Sequence, residues 1–205
     1  RPEVRKPGSS KIAISQVLLV QDQYWRDKLL KSLWHAYKRA AFVDEVYPKV
    51  EQLLAYKPEK LSEFNYYAIE NICKWLGIKT KLIFNAPELQ QVEEELDDLL
   101  AHYQQSDPTI DKRQVRVIEF CKRRGTQHYM NTVAGAHLYF PEVFQKQGLE
   151  LSFVQSRPVV YQQFEGRPFV PNLSIIDVMM HLGFEGASRH LGAYDLLSEA
   201  PQPGA

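Results

Sequence analysis

From residue 24 to about residue 41 the apolar side chains recur every third or fourth position. Trp25, Leu29, Leu33 and Ala40 line one side, while Leu30, Trp34, Tyr37 and Ala41 widen the stripe, which predicts a helix with one buried face. Leu61, Phe64, Ala68, Ile72 and Trp75 repeat that spacing, and Gly77 follows as a residue that accepts the left-handed turn ending a helix. Between them a shorter helix is expected over 47–56, with Pro48 in its opening turn. Further helices are expected from 87 to about 103, after Asp111, over Pro141–Lys146 and over 175–182. Asp111 and Gln114 have the spacing of a capping box, and Val115, Ile118 and Cys121 form the inward face of the helix they open.

Elsewhere the period shortens. Leu149, Leu151 and Phe153 alternate as in a half-buried strand, and 127–130 predicts another. The apolar runs at 11–20 and 80–84 also read as strands. Residues 183–197 are expected to be helical in part. The polar opening, 1–10, has two prolines and no starting methionine; it reads as a flexible arm or loop, the first piece of a longer natural chain, and 198–205 as a tail. The alternation of strands and helices predicts an α/β fold, a small and largely parallel sheet flanked by helices in a Rossmann-like three-layer arrangement. With no Gly/Ser linker dividing the chain, 11–197 is expected to be a single domain.

Composition narrows the function classes. The 25 basic and 25 acidic residues cancel, which argues against a dedicated nucleic-acid binder. The apolar run at 11–20 is interrupted by Ser15 and Gln16, and nothing approaches the roughly 18 apolar residues of a membrane span. Two cysteines, Cys73 and Cys121, cannot build a disulfide framework; both fall on apolar helix faces, and a reducing, cytoplasmic setting is expected. The charge is unevenly spread. Residues 86–111 carry eight acidic side chains and no Lys or Arg, and residues 112–124 carry six bases against Glu119. The two blocks could serve a partner or pair with each other.

Catalytic signatures are few. There is no Gly-x-Gly-x-x-Gly, no phosphate-loop Gly-x-x-x-x-Gly-Lys and no Gly-x-Ser-x-Gly. No two of the six histidines have the spacing that sets a metal between imidazoles on one helical face, so no metal site is expected. One region gathers polar and aromatic residues at the ends of expected elements. His128, Tyr129 and Asn131 stand at a strand end, and Gly135, His137 and Tyr139 precede the next helix. Ligands of α/β sheets bind beyond the carboxyl ends of strands, and His128 or His137 could carry a proton near neutral pH. The same Tyr and Asn side chains could equally pin a loop. Ser174 and Asp177 read first as an N-cap with a carboxylate in the opening turn; a phosphate at that helix start would meet repulsion from Asp177.

These residues carry a resemblance. The run His128-Tyr-Met-Asn131, Ala134-Gly-Ala-His-Leu-Tyr139, Phe144, Gly148-Leu-Glu-Leu-Ser-Phe153, Tyr161, Phe169-Val-Pro171 and Leu173-Ser-Ile-Ile-Asp-Val-Met-Met180 resembles the C-terminal half of the WbqC-like family. Upstream, Trp25, Lys28, Ala36-Tyr37, Ala40, Asn65 and Leu76-Gly-Ile-x-Thr80 also fit, so the likeness covers about 11–197. The family's opening strand and Gln-Pro loop have no counterpart before Lys11. The family is associated with O-antigen and other bacterial surface-polysaccharide gene clusters. The resemblance therefore implies a small transferase that modifies a nucleotide-activated sugar or an amino-sugar precursor; no cofactor is indicated. It implies Arg116 as a phosphate contact, Tyr129 and Asn131 as groups orienting the sugar, and His128 or His137 as the acid or base. Tyr139, Tyr161 and Asp177 complete the implied substrate-binding set. The alternative is a non-catalytic binding or scaffold protein that partners a pathway glycosyltransferase.

Overall fold

The structure, a computed structural model, describes Val4 and residues 13–199. The chain divides into two compact units. One holds the described residues up to Leu82 together with Val159–Gly192; the other holds Ile83–Pro158 and the described residues from Ala193 onward.

The first unit is helical. It contains α1 (Tyr24–Tyr37), α2 (Val43–Ala55), α3 (Leu61–Trp75) and α7 (Ile175–Ser188). Their apolar faces meet in one core around Val46, Phe64, Met179 and Met180, all at most 5% exposed. Arg26 is buried at the start of α1. It donates to the carbonyls of Asp22 and Leu54, both at 3.1 Å, and its guanidinium lies over the Trp25 ring. α3 ends as its sequence predicts. Gly77 adopts φ +70°, its N–H reaches Lys74 O and that of Ile78 reaches Cys73 O, so two carbonyls of the final turn are satisfied. The helix expected over 47–56 begins earlier, at Val43, and Pro48 lies inside it. The carbonyl of Phe42, which accepts from both Glu45 and Val46, supports that earlier start. α7 is kinked. Gly183 has φ +70° and ψ 179°, so the helical path stops there and resumes at Phe184, whose N–H is taken by Glu45.

Two expected strands do not form. Residues 80–84 join no ladder. Of the run 11–20, residues 11 and 12 lie outside the described residues; Ile14–Gln16 is a 3-10 turn, and Leu18 and Leu19 make isolated bridges to Lys60 and Val4. The apolar residues there anchor an extended segment to the core, with Leu19 1% exposed, rather than building a sheet. The arm expected over 1–10 lies outside the described residues apart from Val4, as does the tail from 200 on.

The second unit is mixed. α4 (Pro87–Gln104) and α5 (Lys112–Arg123) pack together, followed by β1 (His128–Thr132), a 3-10 segment over Val133–Leu138, α6 (Pro141–Lys146), β2 (Glu150–Ser156) and β3 (Tyr194–Leu197). β1 runs parallel to β2, pairing His128 with Glu150 and Asn131 with Phe153; β3 runs antiparallel on the other side of β2. The α/β class holds, but this sheet is mixed and three-stranded, in place of the expected largely parallel, Rossmann-like one. Part of 183–197, expected to be helical, supplies its last strand. Phe153, Ile118 and Phe144, each fully buried, centre the core of this unit.

The acidic and basic blocks pair with each other. Across α4 and α5, Arg116 meets Glu93, Lys112 meets Asp97, Arg123 meets Glu95 at 2.7 Å and Arg124 meets Glu88 at 2.9 Å. Arg123 also holds the Glu95 carboxyl below its ordinary range.

Candidate functional site

In the first unit the chain from Val159 to Leu173 has neither helix nor strand and leads into α7. Ser174 caps α7 by accepting from the Ile176 N–H at 3.3 Å. Asp177 does not complete a capping box. Its side chain turns inward, where Oδ1 accepts from the Tyr161 hydroxyl at 2.6 Å and from the Gln163 amide at 3.0 Å. Gln163 makes two more bonds: its amide also donates to Val170 O at 3.1 Å and accepts from Val170 N at 2.9 Å. This one side chain ties the Val159–Leu173 segment to itself and to Asp177.

One helical turn on from Asp177 is His181. The two side chains are 4% and 3% exposed, and His181 Nε2 stands 3.8 Å from Asp177 Oδ2. That separation is too long for a hydrogen bond, and Nε2 has no hydrogen-bond partner among the described residues. A buried nitrogen left so costs about 1–3 kcal/mol, and such atoms are few in native proteins. Phe164 lies edge-on to the His181 ring at 4.7 Å between centroids, Tyr37 at 6.2 Å, and Tyr161 is tilted against it at 6.3 Å. Burial, and next its bond to Asp177, pushes the Tyr161 phenol up to about 12. Burial, and then the nearby Asp177, holds the Tyr37 phenol well above its ordinary value.

The polar residues expected at the β1 end are divided between the two faces of the strand. Side chains alternate along a strand, so His128 points to one face of the sheet while Tyr129 and Asn131 share the other. Tyr129 and Asn131 do not share the His128 side of β1. His128 Nε2 is 2.8 Å from Ser152 Oγ and 4.0 Å from Glu150. Both neighbours approach the same nitrogen, whereas a nucleophilic triad needs base and carboxylate on opposite ring nitrogens. Tyr129 stacks on Phe144 and meets Tyr139 edge-on; burial, and then Tyr139, lifts its phenol to about 12. Asn131 accepts the Thr132 N–H at 2.8 Å. His137 is exposed on the 3-10 segment. The Arg116 guanidinium is engaged by both oxygens of Glu93.

Of the residues singled out in the sequence, Tyr161 and Asp177 are thus brought into contact in the first unit. Arg116, His128, Tyr129, Asn131, His137 and Tyr139 lie in the second. Tyr37, Gln163 and His181 were missed as site residues. The available signal was Asp177-x-x-x-His181, a carboxylate and an imidazole on one helical face, which a search for paired histidines passes over. Among the described residues no group of three His, Cys, Asp or Glu side chains is placed to hold a metal, and no helix is long and apolar enough to cross a membrane.

The family model of the WbqC-like proteins matches residues 3–189, which include both β1 and the whole of α7. The chain belongs to the WbqC-like protein family. Comparison with curated proteins and with solved structures finds no match.

Proposed function

We propose that this WbqC-like protein acts in bacterial surface-polysaccharide (O-antigen) biosynthesis, as a small cytoplasmic transferase that modifies a nucleotide-activated sugar or its amino-sugar precursor. Family membership supports the pathway. The observation that carries the chemistry is the convergence of the Tyr161, Gln163 and His181 side chains on the buried Asp177 carboxylate. A buried carboxylate hydrogen-bonded to a phenol, with an imidazole 3.8 Å away, brings together groups that proton transfer in a group-transfer reaction uses. The scaffold alternative drew on the acidic and basic blocks as a partner surface, and those charges satisfy one another across α4 and α5.

The test is thermal unfolding of the full chain with UDP-, dTDP-, GDP- and CDP-sugars, acetyl-CoA and ATP. A ligand at about 100 times its dissociation constant adds roughly 2.7 kcal/mol. A raised midpoint confined to one nucleotide class is expected, and a flat response to every member overturns the reading.

A further inference from the structure

We propose that the outward face of α1 is a docking surface for an anionic phospholipid bilayer, which the protein meets side-on and leaves reversibly. The proposal goes beyond the transferase reading and stands without it.

Tyr24, Lys28, Lys31, His35 and Lys38 follow one another at alternating steps of four and three residues. That spacing sets them on one side of α1 and its last turn, in a line about 20 Å long. All five are exposed, as is Arg39 beyond them. The opposite side, with Leu29, Leu33 and Ala40, packs into the core, so the line of cations is the face left to solvent. Asp27 lies at its margin, where the carboxylate accepts from Gln23. Among the described residues no carboxylate stands within ion-pair distance of Lys28, Lys31, Lys38 or Arg39. In the second unit, by contrast, Lys112, Arg116, Arg123 and Arg124 each meet a carboxylate of α4.

The aromatic residues select the kind of anion. Tyr24 is 71% exposed, with Lys28 Nζ 6.0 Å from the centre of its ring, and Trp34, 42% exposed, flanks the line between Lys31 and His35. Exposed tyrosine and tryptophan rings beside lysines match the boundary of a bilayer, where the rings reach toward the acyl chains and the ammonium groups stay with the phosphates. A straight row on one helix side also suits a flat surface. Nucleic acid offers the same phosphate charge, but the 25 acidic residues that balance the 25 bases disfavour it. Each lysine close to an anionic leaflet strengthens binding about fivefold, and the attraction dies away within a Debye length. A row this short therefore gives weak binding that salt reverses.

The test is co-sedimentation of the full chain with vesicles of phosphatidylcholine, alone or with about a third phosphatidylglycerol. Binding to the anionic vesicles only is expected, reversed by about 0.5 M NaCl. The triple variant Lys28→Gln, Lys31→Gln and Lys38→Gln should bind them about a hundredfold more weakly. Changing the exposed Lys57, Lys79 and Lys81 to Gln alters the net charge equally and should cost less than about threefold. Trp34 emission should move to the blue as the vesicles bind, a change absent in Trp34→Phe, and circular dichroism checks that each variant is folded. Equal binding to neutral vesicles, binding to neither, equal losses in the two triple variants, or an unmoved Trp34 emission overturns the proposal. So does tighter binding to a DNA duplex than to the anionic vesicles, lost in the α1 triple variant, which would make this face a nucleic-acid contact.

Discussion

The ring of Phe42 fills the space that a side chain on Gly183 would need: a Cβ built there stands 2.7 Å from Phe42 Cδ1 and 3.1 Å from Glu45 Oε2. The Gly183 backbone, at φ +70° and ψ 179°, is in a region open essentially to glycine alone. Sequence position and close packing therefore agree on one residue type.

Gly183→Ala is expected to lose at least about 1–3 kcal/mol from backbone strain, with the contact to Phe42 added. Urea unfolding measures it. Gly148→Ala is the comparison, since its φ is also positive but no atom lies within 4 Å of the added Cβ. A loss at Gly183 no larger than at Gly148 would show that Phe42 yields freely.

Tyr161→Phe removes one donor from a buried carboxylate and keeps the ring. Hydrogen bonds to charged groups contribute about 1.5–3 kcal/mol, so a stability loss of that order is expected in denaturant unfolding. Gln163→Ala should cost a comparable amount and also free the backbone at Val170, seen as faster amide exchange there. Unchanged stability in both variants would contradict the bonds to Asp177.

Alkaline pH should weaken the fold through Tyr129 and Tyr161. Burial raises both phenols from 10.0 to about 12, so the protonated forms are favoured in the native state. Their contribution is fully present below about pH 10 and is lost as pH rises through about 12. Stability measured across that window should fall, and the fall should be shallower in Tyr129→Phe and in Tyr161→Phe. A slope unaltered by both substitutions argues against the shifts.

The charges between α4 and α5 are expected to matter little one at a time. Arg116 and Glu93 are both partly exposed, and such pairs contribute about 0.2–1 kcal/mol. Glu93→Arg should cost more than Glu93→Ala, because it sets like charges together. Combining Glu93→Arg with Arg116→Glu should restore most of the loss, and added salt should shrink every difference.

The helices were legible because their signals are local. Apolar spacing marks α1 and α3, Gly77 ends α3, and Asp111 caps α5 by accepting from the N–H groups of Arg113 and Gln114. The kink at Gly183 falls where the sequence reading broke the last helix. Strands depend on partners far along the chain, and there the reading faltered. The runs 11–20 and 80–84 have strand-like composition, yet their described residues join no ladder, while β3 is largely exposed and gives no alternation to read. The candidate site divided in the same way. Tyr161 and Asp177 stood out one by one, but only the path of Val159–Leu173 reveals that they touch. At the β1 end the pleat divides neighbours in sequence, with His128 on one face and Tyr129 and Asn131 on the other.

The break at Gly183 has an electrostatic consequence for the pair before it. It makes 175–182 a short helix in its own right, with Asp177 in the first turn and His181 in the last. A helix carries partial positive charge at its start and partial negative charge at its end, each worth about 0.3–1 kcal/mol to a suitable neighbour. The carboxylate thus sits at the end that favours an anion, and the imidazole at the end that favours a cation. By ending the helix at that point, Gly183 sets which end of the helix field each of the two side chains meets.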